Sequence, residues 1–260
     1  MFFDRVWIKE NSRNRLHAPD RRNAVLVAFL ALLLGGIYSS GGSFDFDVNT
    51  GSFEQMLNEE SGSAEIAYFI MLLLPTLLFA SLIALGIQIF FSNVLAVGTD
   101  GWFMCFARGE SPSVGTMFGS FKFYGRALSA TLLVNIYTFL WSLLFVIPGI
   151  VKGYAYSMTN YILCNNPNLS ASQAIYLSQR LTDGHKGDLF ILDLSFFGWN
   201  LLNAFTFGLL GIFYLNPYYQ TARAGAYLSL KQMAIADGRM SPADFGDDPA
   251  EYATLEGTAQ

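Results

Sequence analysis

Hydrophobic and polar positions fall in long blocks along this chain rather than alternating residue by residue. Apolar runs at 24–38, 64–97, 128–147 and 189–215 hold very few ionised groups. Each approaches or exceeds the roughly 20 residues that cross a hydrocarbon layer about 30 Å thick. With the breakers between them, these runs predict an all-α, polytopic membrane bundle of about six transmembrane helices, at 23–40, 64–97, 123–147, 149–164, 188–207 and 209–236. The second is too long for a simple crossing, about 51 Å as an unbroken helix, so it must tilt, kink near Pro75 or outrun the bilayer. Gly98-Thr99-Asp100-Gly101 reads as the turn or weak point that ends it.

The breakers say how the crossings connect. Proline fits the first turn of a helix and disfavours helical geometry in the residue before it, so Ile147-Pro148-Gly149 is expected to close the third crossing and open the fourth as a tight hairpin. Gly149, Gly153 and Ser157 recur every fourth residue, a small-residue stripe that lets another helix approach closely. Lys152 falls in the first turn, where its stem can lie on apolar surface and its ammonium reach the head groups. Asn165-Asn166-Pro167-Asn168 ends that helix, and Ser170 with Gln173 makes a capping box for a surface helix at 170–183. Its Ala171, Ala174, Ile175, Ser178 and Leu181 share one face, and Gly184 is a natural stop. This amphipathic helix is expected on the membrane-facing side of a cytoplasmic loop. Asn216-Pro217 either kinks the sixth crossing or starts it, so Pro217 joins Pro148 and Gly149 as an expected break.

The flanks set the orientation. Residues 1–22 interleave Phe2, Phe3, Val6, Trp7 and Ile8 with Arg5, Lys9, Arg13, Arg15, Arg21 and Arg22, which suits either a short amphipathic helix on an anionic leaflet or a disordered basic leader. No convincing cleavage site follows the first run, which reads as an uncleaved signal anchor. The 41–63 loop carries Asp45, Asp47, Glu54, Glu59 and Glu60 with no base, and 237–260 reads as an acidic, disordered tail. With six crossings and both termini in the cytoplasm, all but Lys152 and Arg223 of the 15 Lys and Arg lie on the inner side. Charged residues make up only 13% of the chain, and the net charge of −5 argues against a nucleic-acid partner.

From about Phe118 onward the chain resembles the bacterial integral membrane proteins grouped as domain-of-unknown-function family 975. Pro148-Gly149-Ile150, Tyr156-Ser157-Met158, Ala174, Ser178, Leu181, Gly184, Gly198-Trp199, Pro217-Tyr218 and Tyr227 carry the resemblance. The Pro-Gly hairpin and the surface helix after it are also similar, more weakly, to the membrane domain attached to some glycerophosphodiester phosphodiesterases, from which no catalytic residue carries over. The family resemblance implies a bacterial plasma-membrane protein with six helices and no assigned activity.

Candidate chemistry is sparse. His17 and His185 have no second ligand at metal spacing, Cys105 and Cys164 form no CxxC, and the nucleotide-binding and hydrolase motifs are absent. No catalytic residue, metal or cofactor is expected. Asp45 and Asp47 read as a solvated acidic loop rather than a cation site. The informative polar residues lie inside the bilayer: Asp193 on the fifth crossing and Arg223 on the antiparallel sixth fall at matching depths, where an ion pair would offset the cost of each charge. A head-group site or proton relay is the functional alternative, and snorkelling of each charge to the interface without pairing is the third reading. Asn135, Asn200 and Asn203 are intramembrane amides for interhelical hydrogen bonds or for a polar route. Two functions follow: a non-enzymatic membrane bundle working through lipid or a membrane-protein partner, and a small transporter or channel using the polar groups of the last two crossings.

Overall fold

The computed structural model describes residues 3–16, 23, 25–27, 63–206 and 208–247, and among these every regular element is helical. Most of the expected first crossing, the loop with Asp45 and Asp47, His17 and 248–260 lie outside the described residues. Two described stretches, Ile89–Arg108 and Val114–Leu144, are long and apolar enough to cross a membrane, and Met71–Ile83 is a shorter apolar helix.

The N-terminal helix α1 (Arg5–Leu16) is capped by Asp4, whose carboxylate accepts from the Val6 and Trp7 amides at 2.9 and 3.1 Å. It docks on the last long helix: Ile8 and Ser12 are buried, and a Cβ on Gly225 would lie 3.4 Å from the Ile8 side chain. Val6 and Trp7 stay exposed on its other face.

Helix α2 (Ser63–Ile87) contains Pro75 and passes through a π-helical turn, Gln88–Ser92, into α3 (Asn93–Arg108). The 98–101 stretch is not a turn; the helix runs on until Gly109, at φ 96°, caps it. Its glycines are required by packing instead. A Cβ on Gly98 would sit 1.8 Å from the Met117 carbonyl oxygen, and one on Gly101 would sit 2.8 Å from Cys164 Sγ. Thr99 satisfies its hydroxyl on Leu95 O at 2.9 Å. A 3₁₀ stretch, Val114–Phe123, then leads into α4 (Tyr124–Leu144).

The hairpin breaks three residues earlier than the proline suggests. Phe145 is extended (φ −158°, ψ 144°), and α5 (Val146–Tyr156) already includes Pro148, whose missing N–H falls in a first turn with no partner to lose. Gly149 and Gly153 face α4: a Cβ on Gly149 would lie 2.3 Å from Ser142 Oγ, and one on Gly153 would lie 3.8 Å from Thr138.

The expected fourth and fifth crossings are each divided. Ser157-Met158 separates α5 from α6 (Thr159–Asn165), because Ser178 reaches in from α7 (Ala171–Leu181), donating to Ala155 O at 2.8 Å and accepting from the Met158 amide at 3.2 Å. The Ser170–Gln173 capping box opens α7, and its buried face is Ala174, Ile175, Leu177, Ser178 and Leu181. That face packs on the other helices of the bundle, while Tyr176 on the opposite side is exposed. Ser195-Phe196 separates α8 (Lys186–Leu194) from α9 (Phe197–Phe205) and turns Phe196 inward against the rings of Tyr218 and Tyr219.

A π-helical turn, Gly211–Leu215, precedes α10 (Asn216–Ala236), and Pro217 occupies the first turn of α10. The segment after it corrects the reading of a tail disordered from 237. Gly238 turns the chain at φ 65°, Ser241 caps a 3₁₀ turn at Pro242–Phe245, and Phe245 is fully buried. Trp102, Phe103, Met158, Ile162, Leu181, Tyr227 and Leu230 form the core around which these elements close.

Candidate functional site

Polar side chains from α3, α5, α6, α8 and α10 converge inside this bundle. Tyr219 and Arg223 lie one turn apart on α10, so both point toward α8. Arg223 Nη1 donates to Asp193 Oδ2 at 2.9 Å and to Oδ1 at 3.3 Å. The Tyr154 hydroxyl of α5 donates to Asp193 Oδ2 at 2.9 Å, and the Tyr219 hydroxyl donates to Oδ1 at 3.1 Å. Both oxygens of this carboxylate are therefore doubly supported, which is the condition under which a sequestered charge is tolerated. The Arg223 guanidinium also lies 5.9 Å from the centre of the Tyr219 ring.

Asp100 of α3 brings a second carboxylate to the same region. Asn160 Nδ2 donates to its Oδ2 at 2.8 Å, the Tyr161 hydroxyl lies alongside, and Arg223 is within electrostatic reach. Its sequence neighbours Thr99, Trp102 and Phe103 are buried, yet Asp100 and Asn160 stay partly accessible. Asp100 and Tyr219 escape the sequence reading. The first sits in what looks locally like a turn; the second carries a usable signal, since a tyrosine four residues before an arginine in an apolar helix shares its helix face.

Asn135 and Asn200 are exposed on the outside of the bundle, whereas Asn203 Oδ1 accepts from the Gly211 amide at 2.6 Å and fixes the turn between α9 and the next helical segment. Of the three amides expected to make interhelical hydrogen bonds or line a polar route, Asn203 makes this local contact instead. Lys152 lies over the Trp141 ring, 5.1 Å from its centre. Ser157 bonds back to Tyr154 O at 2.8 Å. Cys105 and Cys164 are free thiols, and the Cys164 thiol donates to Val97 O at 3.0 Å. His185 is engaged by Asp188 at 3.1 Å and stacks on Phe3. At the exposed turn before α8, Lys186 lies 3.0 Å from Asp183 and holds that carboxyl below its usual range. No group of three or more His, Cys, Asp or Glu that could hold a metal ion occurs among the described residues.

Residues 143–234 match the family model described as protein of unknown function DUF975. The match includes the Pro148-Gly149 hairpin, Ser178 and the Tyr154–Asp193–Tyr219–Arg223 cluster, and it bears out the resemblance read from those motifs. Asp100, which completes the site from α3, lies outside the DUF975 region. No curated protein and no solved structure matches the chain.

Proposed function

We propose that this chain is an integral membrane protein of the bacterial plasma membrane, a six-crossing helical bundle with both termini in the cytoplasm, acting without catalysis through lipid or a membrane-protein partner. One observation carries the reading: large apolar side chains face outward on three separate stretches of the chain. Met71, Leu143, Ile147 and Phe205 are 77%, 74%, 75% and 75% exposed, and their neighbours on α2, at the α4–α5 tip and on α9 are exposed with them. Soluble monomers rarely carry contiguous apolar patches beyond roughly a few hundred Å², and lipid is the solvent that makes such a surface stable. Exposed Val6 and Trp7 beside Arg5 and Arg13 on α1 suit contact with an anionic head-group layer.

The reading is tested on the full chain in cells. Resistance to carbonate extraction is expected, and reporters fused at Met1 and Gln260 should both report the cytoplasm; release by carbonate, or a Gln260 reporter on the far side, overturns it. A second reading, a small transporter or channel, is favoured by the partial accessibility of Asp100, Asn160, Asp193 and Arg223. Cysteine scanning of α8 to α10 separates the two: labelling along one face from both sides of the membrane indicates a pathway, and protection throughout indicates a closed bundle.

A further inference from the structure

We propose that residues 241–247 form a reversible strap, seated across the ends of α3, α6 and α10, whose release loosens the polar cluster those three helices help to build. Each of the three carries a cluster residue and, further toward its C-terminal end, a residue that holds the strap. On α3 these are Asp100 and Arg108, on α6 Asn160 and Asn165, and on α10 Arg223 and Lys231. The intervals are eight, five and eight positions, about 12, 8 and 12 Å of helical rise. One short segment therefore ties the three helices together at the same end.

The strap is held at few points. Phe245 is its one buried residue, while Ser241, Ala243 and Gly246 are exposed. Asn165 Nδ2 donates to Phe245 O at 3.2 Å and to Asp247 Oδ1 at 3.4 Å, and Arg108 Nη2 donates to the oxygen of the same amide at 2.5 Å. Lys231, enclosed on α10, pairs with Asp247. Gly246 turns the chain at φ 78°, where a Cβ would lie 3.0 Å from Asn166. Residues just before the strap are bound separately: the Arg239 and Met240 amides both donate to Ala234 O, and Arg180 Nη2 donates to Arg239 O at 2.6 Å. Ser241, extended at φ −94° and ψ 149°, is the junction between the two parts. A segment resting on one ring, one ion pair and one amide opens at lower free energy than the core beneath it.

A packed column joins the strap to the cluster. The Phe245 and Tyr227 ring centres are 6.5 Å apart, Tyr227 stacks on Tyr161 at 5.3 Å with 17° between the planes, and the Tyr161 hydroxyl lies beside Asp100. When Phe245 leaves, Tyr227 loses the ring that backs it and Asn165 loses both strap acceptors, so α6 is freed to shift against α3. Cys164 reports on that contact, because its thiol donates to Val97 O of α3 at 3.0 Å. The strap, seated or released, is the two-state element that such coupling requires. All of these contacts lie within the chain and do not depend on which way the bundle faces a membrane.

The test uses the full chain in lipid nanodiscs. Amide hydrogen exchange is read along the chain, and the rate at which a maleimide labels Cys164 is measured in a Cys105→Ala background, where it is the sole thiol. Lys231→Met removes the ion pair and Phe245→Ala removes the ring. Each should speed exchange at 241–247 and, by about tenfold, both exchange at 159–165 and the labelling of Cys164, while exchange in α9 keeps its wild-type rate. Fast exchange in the strap with 159–165 and Cys164 unchanged overturns the proposal. So does a strap that stays as protected as in the wild type, and so does an equal acceleration throughout the bundle, α9 included. If Phe245→Ala does not fold, Lys231→Met decides alone, because it leaves the Phe245, Tyr227 and Tyr161 rings in place.

Discussion

Asp193 of α8 and Arg223 of α10 meet at 2.9 Å, 30 positions apart in sequence, and hydroxyls from α5 and from α10 itself complete the coordination of the carboxylate. The contact therefore ties the DUF975 region together through three of its helices. Its side chains are only 21% and 15% exposed for Asp193 and Arg223 respectively. Removing one partner leaves the other charge enclosed, which costs about 3–5 kcal/mol. Asp193→Arg or Arg223→Asp alone should thus abolish accumulation of folded protein, and the exchanged double variant should restore a measurable fraction. Accumulation that is equally low in the double variant shows that orientation, rather than charge pairing, dominates. Tyr154→Phe and Tyr219→Phe each remove a bond to a charged acceptor and should cost about 1.5–3 kcal/mol in unfolding measured in detergent.

The α3 glycines give a second prediction. Gly98→Ala drives a methyl group into the Met117 carbonyl oxygen, 1.8 Å from the ideal Cβ, and backbone cannot yield as a side chain can. Gly101→Ala meets the Cys164 sulfur at 2.8 Å, a movable and removable obstacle. Gly98→Ala should cost upwards of about 3 kcal/mol, and Gly101→Ala about 1–3 kcal/mol. Cys164→Ala should recover much of the second loss and none of the first, as read by thermal unfolding of the single and double variants.

Those glycines also mark where sequence reasoning stops. The helical blocks were legible because lipid and core impose the same requirement on long apolar runs, and the Ser170–Gln173 box was legible because a cap is chemistry between residues three apart. Matching depths for Asp193 and Arg223 follow from counting helical rise from each end of their segments. Gly98-Thr99-Asp100-Gly101, by contrast, has the local composition of a turn. Only the arrival of Met117 and Cys164 from elsewhere makes it a helix that carries Asp100 inward. The divided helices were hidden for the same reason: Ser178, which holds the break at Ser157-Met158, lies 20 positions from the amide it accepts.

Ser178 supports a third prediction. Its hydroxyl serves the Ala155 carbonyl and the Met158 amide at once, both at the break between α5 and α6. Ser178→Ala leaves these buried groups short of a partner, at about 1–3 kcal/mol. Faster amide hydrogen exchange should be confined at first to the residues around Met158; a uniform increase across the bundle would show that the hydroxyl does not act locally.

The fourth prediction concerns the segment that leaves α10. Acidic composition suggested a solvated tail, but Phe245 inserts beside Tyr227, with ring centres 6.5 Å apart, and beneath the Lys231 ammonium, 5.1 Å from its ring. Asp247 pairs with Lys231, and Asn165 Nδ2 donates to Phe245 O at 3.2 Å, so aromatic burial and charge pairing act on the same few residues. Arg108 Nη2 in turn donates to Asn165 Oδ1 at 2.5 Å, which links the end of α3 to the same latch. Phe245→Ala removes a fully enclosed ring and should destabilise the protein by about 3–5 kcal/mol. Asp247→Asn leaves Lys231 enclosed without its carboxylate, so it should also destabilise. The two losses should be less than additive, since either change loosens the segment that holds the other. Additive losses in a double-variant cycle would mean that the ring and the ion pair hold the bundle independently, and that 237–247 is not a single latch.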